Sequence, residues 1–246
     1  MGEGHLPRPG DALPLAKRPA SKANYSVECS RFWMYNPRWF KEDRIEVLQG
    51  EVNKISFGAI ITTGATGILA SHVPMLIDPS RGRLGTLFGH LARGNSQWRD
   101  PSADSEGLAS FVGPNAYISP NWYRTKERTG KTVPTWNYIE VQVRGPIVFF
   151  DDPKRLLGIV TDLTKYHEAG SERPWNVSDA PADYVDRELK SIVGFEMQVT
   201  KIEGKWKLSQ NREKEDREGA RLGLARRNRP LDSLVEEEMR DRDPYP

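Results

Sequence analysis

The chain has 246 residues and a formal net charge of +2, with 37% apolar and 28% charged residues. That balance suits a globular protein of one large or two small domains, and it supplies no broad positive field for holding nucleic acid. The single cysteine, Cys29, excludes an intrachain disulfide framework and predicts a reducing compartment. No apolar run approaches the ~20 residues that span a bilayer. The first residues are rich in proline and glycine and lack the apolar core of a secretory signal. A cytoplasmic protein with no membrane segment is the expectation.

Residues 1–30 carry Pro7, Pro9, Pro14 and Pro19 among small and basic residues, a composition that predicts a flexible arm. Ordered structure is expected from the aromatic cluster Phe32-Trp33-Met34-Tyr35 onward. Within Glu42–Val52, Ile45, Leu48 and Val52 fall at helical spacing. Strand-like runs then follow at Ile55–Thr63, Gly67–Leu76 and Arg83–Leu91, divided by Gly64, Asp78-Pro79 and Gly82. Ala109–Val112 and Ala116–Ile118 read as two short strands, and Tyr138–Phe150 as a long one that alternates through Ile139, Val141 and Val143. Successive strands with short turns and no helices between them predict antiparallel pairing and a small closed barrel.

Pro153 opens a helix with Leu156, Leu157, Val160 and Leu163 on one face, and a second helix leads from Ala180 to Leu189. Ile192–Ile202 and Lys205–Leu208 read as a hairpin turning at Glu203-Gly204. The charged stretch 213–246 is expected to be helical, packed on this protomer or on a partner. The domain plan is therefore an arm (1–30), one mainly β domain (31–212) and a charged helical segment (213–246).

Three segments carry residues suited to a ligand. Gly89-His90-Leu91-Ala92-Arg93-Gly94-Asn95-Ser96-Gln97-Trp98 gathers an imidazole, a guanidinium and two amides at a strand end. Those donors suit a phosphate or carboxylate, and equally a polar strand end satisfied within the fold. Trp136-Asn137-Tyr138 offers stacking faces for a planar heterocycle, or ordinary core aromatics. Lys205-Trp206-Lys207-Leu208-Ser209-Gln210-Asn211-Arg212 clusters cations and amides, for an anion across a dimer interface or for solvent. Four histidines and one cysteine show no zinc spacing, although haem iron needs only one axial histidine, such as His72 or His90. No G-x-S-x-G elbow or helix-turn-helix is recognisable.

These segments, together with Met34-Tyr35-Asn36-Pro37, Ser71-His72-Val73-Pro74, Ala116-Tyr117-Ile118-Ser119-Pro120 and Ile192-Val193-Gly194-Phe195-Glu196, resemble the PaiB-like family of FMN-binding negative transcriptional regulators. The resemblance runs from about Met34 to Leu224. It implies a mainly β (α+β) fold, an antiparallel split β-barrel with flanking helices. It also implies a homodimer with the cofactor cleft shared between protomers. By the same resemblance, the cofactor contacts would come from His72, His90, Arg93, Asn95, Gln97, Trp136, Asn137, Tyr138, Lys207, Ser209 and Gln210. Ser96 stands where the family more usually has proline.

The cofactor implied is FMN, with haem b as the alternative, because the haem-dependent piperazate synthases are similar to this family. A flavin predicts that Arg93, Asn95 and Lys207 gather around its phosphate; haem predicts His72 or His90 at iron. The functions carried forward are a cofactor-linked regulator or redox protein, a flavin-dependent reductase, and a haem enzyme forming an N–N bond. A structural dimer with a vestigial pocket is the remaining class. DNA is a conceivable partner that neither charge nor motif supports.

Overall fold

The alternating apolar runs form strands that pair edge to edge into a ring. In the computed structural model, residues 34–99 and 106–242 are described, so the expectations for Cys29 and residues 1–30 lie outside them. The elements are β1 (Lys41–Glu42), α1 (Ile45–Ile55), β2 (Phe57–Gly64), β3 (Gly67–Asp78), β4 (Thr86–Ala92), β5 (Glu106–Ile118), α2 (Arg124–Thr129) and β6 (Thr135–Phe150). They continue as α3 (Pro153–Glu168), α4 (Ala182–Leu189), β7 (Ile192–Gln198), β8 (Lys201–Lys207), α5 (Lys214–Arg227) and α6 (Pro230–Asp241). Following hydrogen-bonded neighbours gives the closed circuit β6–β5–β2–β3–β4–β7–β6, while β8 and then β1 branch from the outer edge of β6. Every pairing is antiparallel. The fold is an antiparallel split β-barrel with flanking helices, as expected.

The split is made by β6. Its first half, Tyr138–Arg144, pairs with β8, and its second half, Ile147–Phe150, pairs with β7. The expected hairpin at Glu203-Gly204 is therefore corrected: β7 and β8 follow one another along β6, and the chain jogs at Val199-Thr200. Gly204 lies within β8 because Leu48 and Trp206 fill the space above it; a Cβ there would meet Leu48 Cδ2 at 2.2 Å. At the jog, a Cβ on Gly145 would stand 1.9 Å from the Gln198 carbonyl oxygen, so only glycine lets the two strands cross this closely.

The barrel interior takes one side of each strand: Ile60, Met75, Leu87, Phe111, Ile139, Val141, Val143, Phe195 and Met197 are buried there. On β6 the alternation predicted this face. The two short strands expected around residue 113 are one strand, β5, whose pairing with β6 shifts register between Val112 and Asn115. That bulge sets Gly113-Pro114 opposite the single residue Ile139 and breaks the alternation that would have joined the two runs. Outside the barrel, α3 lays Ile159 and Leu163 on Leu76 and Phe88.

The charged C-terminal stretch is helical and packs on its own barrel. Ala220 and Leu224 of α5, and Val235 and Met239 of α6, are fully buried in the same core as the strands. Charge survives burial here by pairing: Asp232 binds Arg227 at 2.6 Å, and Asp216 accepts from the Thr125 amide at 2.8 Å. Glu42 joins the two ends of this unit. It accepts from Arg44 Nη2 at 2.6 Å and from Arg242 Nη1, just past α6, at 2.8 Å. Those guanidinium bonds, with Arg44 foremost, hold its carboxyl at about 2 against burial.

Three stability predictions follow from this geometry. Gly145→Ala is expected to lower unfolding free energy by about 2–3 kcal/mol or more in denaturant titration. Gly158→Ala, in α3 with open space around its Cβ, should be neutral or stabilising by up to ~1 kcal/mol. Glu42 has a depressed folded pKa, so its stabilisation is full above the unfolded carboxylate range and is lost as pH falls towards about 2. Glu42→Gln should thus cost about 2–3 kcal/mol at pH 7 and progressively less below pH ~4, as read by denaturant melts across that range.

Candidate functional site

Strand alternation sorts the predicted residues onto two sides of the sheet. Facing outward are His72 on β3, Trp136 and Tyr138 on β6, and Lys207 on β8. The register sets His72 in a cross-strand row with Ala59, Ser110, Gln142 and Glu203. Further along the same face, Tyr138 lies between Asn115 and Lys207, and Trp136 beside Tyr117.

This face is unusually apolar for an open sheet surface. Phe57, Ile68, Val112 and Trp136 are each more than half exposed, Ile68 at 76%. His72 stacks beside Phe57 with ring centroids 6.2 Å apart. Tyr117 meets Trp136 edge-on at 6.4 Å.

At one corner the face turns basic. Lys205 and Lys207 lie two residues apart on β8, so both ammonium groups flank the Tyr138 ring, 5.3 and 5.8 Å from its centroid. Lys205 Nζ donates to the Tyr35 carbonyl at 2.8 Å, and Lys207 Nζ donates to Thr135 Oγ1 at 2.5 Å and to the Trp136 carbonyl. Burial pushes the Lys207 pKa down, and the neighbouring cations Lys205 and Arg212 push it further in the same direction. An anion delivered here would offset the lowering by its opposite charge. Lys205 belongs to the basic run seen in the sequence and Tyr35 to the Met34-Tyr35-Asn36-Pro37 segment, though neither was named as a contact; Phe57 lay in no motif.

The other expected contacts are engaged within the fold, apart from Gln97 Oε1 and His90 Nδ1, which are buried without a hydrogen-bond partner. Arg93 Nε donates to the Lys190 carbonyl at 2.7 Å and Nη2 to the Ile192 carbonyl at 3.2 Å, while Nη1 reaches Asp151 at 3.3 Å. Asn95 Nδ2 donates to Ser71 Oγ, and Gln97 is buried with its amide on β2 and β3. Asn137 is fully buried, accepting from Ser209 Oγ at 3.0 Å and donating to Met239 Sδ at 3.4 Å. Ser209 adopts φ 65°, and Gln210 closes this turn by accepting from the Leu208 amide at 2.7 Å and donating to the Trp206 carbonyl at 2.6 Å. His90 sits on the outer side of β4; its Nδ1 is buried without a hydrogen-bond partner, and burial lowers its pKa.

Arg93, Asn95 and Lys207 do not converge within one chain. Asn95 reaches Ser71, whose row runs through Ile60, Ala109 and Val143, whereas Lys207 lies opposite Tyr138. The separation along β6 alone is about 17 Å. Among the described residues, no group of three or more His, Cys, Asp or Glu is placed to hold a metal ion. No helix among them is long and apolar enough to cross a membrane.

Residues 34–201 match the family model described as "Putative FMN-binding domain". The chain is 34% identical over 183 residues to the Bacillus subtilis protease synthase and sporulation protein PAI 2, covering 74% of this chain and 85% of that protein. It is 32% identical to an uncharacterised protein of Aspergillus fumigatus, covering 78% and 90% of the two chains. Among solved structures, a conserved hypothetical protein of Mycobacterium tuberculosis superposes with a TM-score of 0.51 at 10% identity, over 73% of this chain and 94% of that one, a likeness of fold. With its outward aromatic face, its split barrel and a family match spanning most of its length, the chain belongs to the PaiB-like family of FMN-binding domains.

Proposed function

We propose that this protein binds FMN on the outer sheet face, as a homodimer in which each flavin is shared by two copies. The observation that carries the reading is the corner at Tyr138. There, exposed aromatic faces for a planar ring adjoin two ammonium groups, one of them desolvated and surrounded by other cations. Trp136 and Tyr138 would bear the ring system, and Lys205 and Lys207 the phosphate. Bound flavin would supply one- or two-electron transfer at its ring.

Sharing follows from distance. His72 and Lys207 lie four strands apart and in rows four β6 residues apart, about 20 Å or more in one chain. A single ring system touches both sets only when a second copy brings its own His72 across. The exposed apolar patch of Phe57, Ile68 and Val112 is the surface such a copy would cover. A regulatory role would then be exerted through the flavin's redox state. Direct base reading is disfavoured because the net charge of +2 supplies no broad positive field.

Haem b is the second reading, favoured by His72, an exposed imidazole on an apolar face. Reconstitution with hemin that yields a Soret band abolished in His72→Ala, with no uptake of FMN, would replace the flavin proposal.

Fluorescence titration with FMN and with riboflavin is the direct test. Lys207→Gln should weaken FMN binding about tenfold and leave riboflavin binding unchanged, whereas Trp136→Ala should weaken both. Equal losses for the two ligands in Lys207→Gln would remove the phosphate from this corner. In sedimentation velocity the wild-type protein should run as a dimer and Ile68→Asp as a monomer that retains less flavin. A monomeric wild type would exclude a shared cleft.

A further inference from the structure

We infer that Asn95 and Gln97 are positioning residues: together they latch β2 to β3 beneath His72 and fix the side chain that faces the cofactor, without touching the cofactor themselves. The inference rests on the reading that His72 of each copy lines the flavin face.

The turn after β4 is built to make this latch. Its backbone closes with the Asn95 amide donating to the Ala92 carbonyl at 2.9 Å, and Trp98 Nε1 donates to the Arg93 carbonyl at 3.0 Å. Asn95 then uses both ends of its amide. Oδ1 accepts from the Gln97 backbone N–H at 2.9 Å, and Nδ2 donates to Ser71 Oγ at 2.7 Å. Gln97, 1% exposed, inserts under the sheet; its Nε2 lies 3.1 Å from the Ile60 carbonyl, 3.1 Å from Thr62 Oγ1 and 3.4 Å from the Leu69 carbonyl.

These partners lie in two rows of one ladder, with the Ile61–Ala70 row between them. Ile60 is paired with Ser71, and Thr62 with Leu69; the next row is Ala59 with His72. The latch therefore clamps the strand at the residue preceding His72. Because successive side chains alternate, Ser71 points to the side opposite His72. Asn95 and Gln97 thus act from the inner side of the sheet on a residue presented from the outer side. A ligand on the outer face is separated from both amides by the strand itself, and the Gln97 Nε2 protons already have three acceptors within the fold. This strand-end cluster of amides looks in sequence like a ligand-binding set; its hydrogen bonds assign it to aligning the ligand's neighbour.

The test reads the His72 imidazole directly, by the ¹H–¹³Cε1 NMR signal that His72→Ala removes, alongside FMN titration of the same proteins. Asn95→Ala should shift or broaden that signal and weaken FMN binding about five- to tenfold. Asn95→Asp should restore both, since its carboxylate still accepts from the Gln97 N–H and the Ser71 hydroxyl can reverse to donate. In a His72→Ala background, Asn95→Ala should change FMN affinity no further. An unchanged His72 signal in Asn95→Ala overturns the latch. So does a full affinity loss from Asn95→Ala in the His72→Ala background, which would mean a direct contact. A folded wild-type protein that binds no FMN overturns the flavin reading instead, and the NMR comparison still decides the latch.

Discussion

Closure of the barrel depends on the approach of one carbonyl to one glycine. Strand β6 runs along β5 on one edge, while its other edge is divided between β8 and β7. The division needs the chain to jog at Val199-Thr200, and the jog brings the Gln198 carbonyl onto Gly145. With that contact in place, β7 reaches β4 and the circuit of strands has no open edge between them. The same jog sends β8 outward, along the first half of β6. Lys205 and Lys207 therefore stand beside Tyr138 because the barrel splits where it does.

Much of the architecture was legible from alternation and turn residues. The face of β6 was read correctly because Ile139, Val141 and Val143 repeat with period two; α3 was located by its leucines, but its buried face is Leu156, Ile159 and Leu163, and Leu157, expected on it, is exposed. Two misreadings have a common cause in glycine. Gly204 looked like a turn and lies within a strand because Leu48 and Trp206 occupy its Cβ position; Gly113 beside Pro114 looked like a break and is a bulge within one strand. Both roles are set by tertiary neighbours that local patterns do not reveal. The buried character of α5 and α6 was hidden for a different reason. Their charged residues find partners from distant segments, as Asp216 does at Thr125, so charge density did not report exposure.

The site was legible as a set of residue types and not as a geometry. His72, Trp136, Tyr138 and Lys207 do share an outer face, since all four are outward positions of their strands. Gln97 and Asn137 are chemically as suitable as any of these, yet their amides are buried among internal partners. Sequence can show that a donor exists; whether it is already spent depends on residues such as Ile60 and Met239, far away along the chain.

The pairing order also bears on how the chain comes off the ribosome. β6 acquires β5 as soon as both have emerged, but its other edge waits for residues 194–207, and Asn137 waits for Met239. Contacts of such long sequence separation make closure slow and late. During that interval β6 presents an unpaired edge with Val141 and Val143 uncovered, so the nascent chain passes through an aggregation-prone stage that the α3–α4 excursion prolongs by its length.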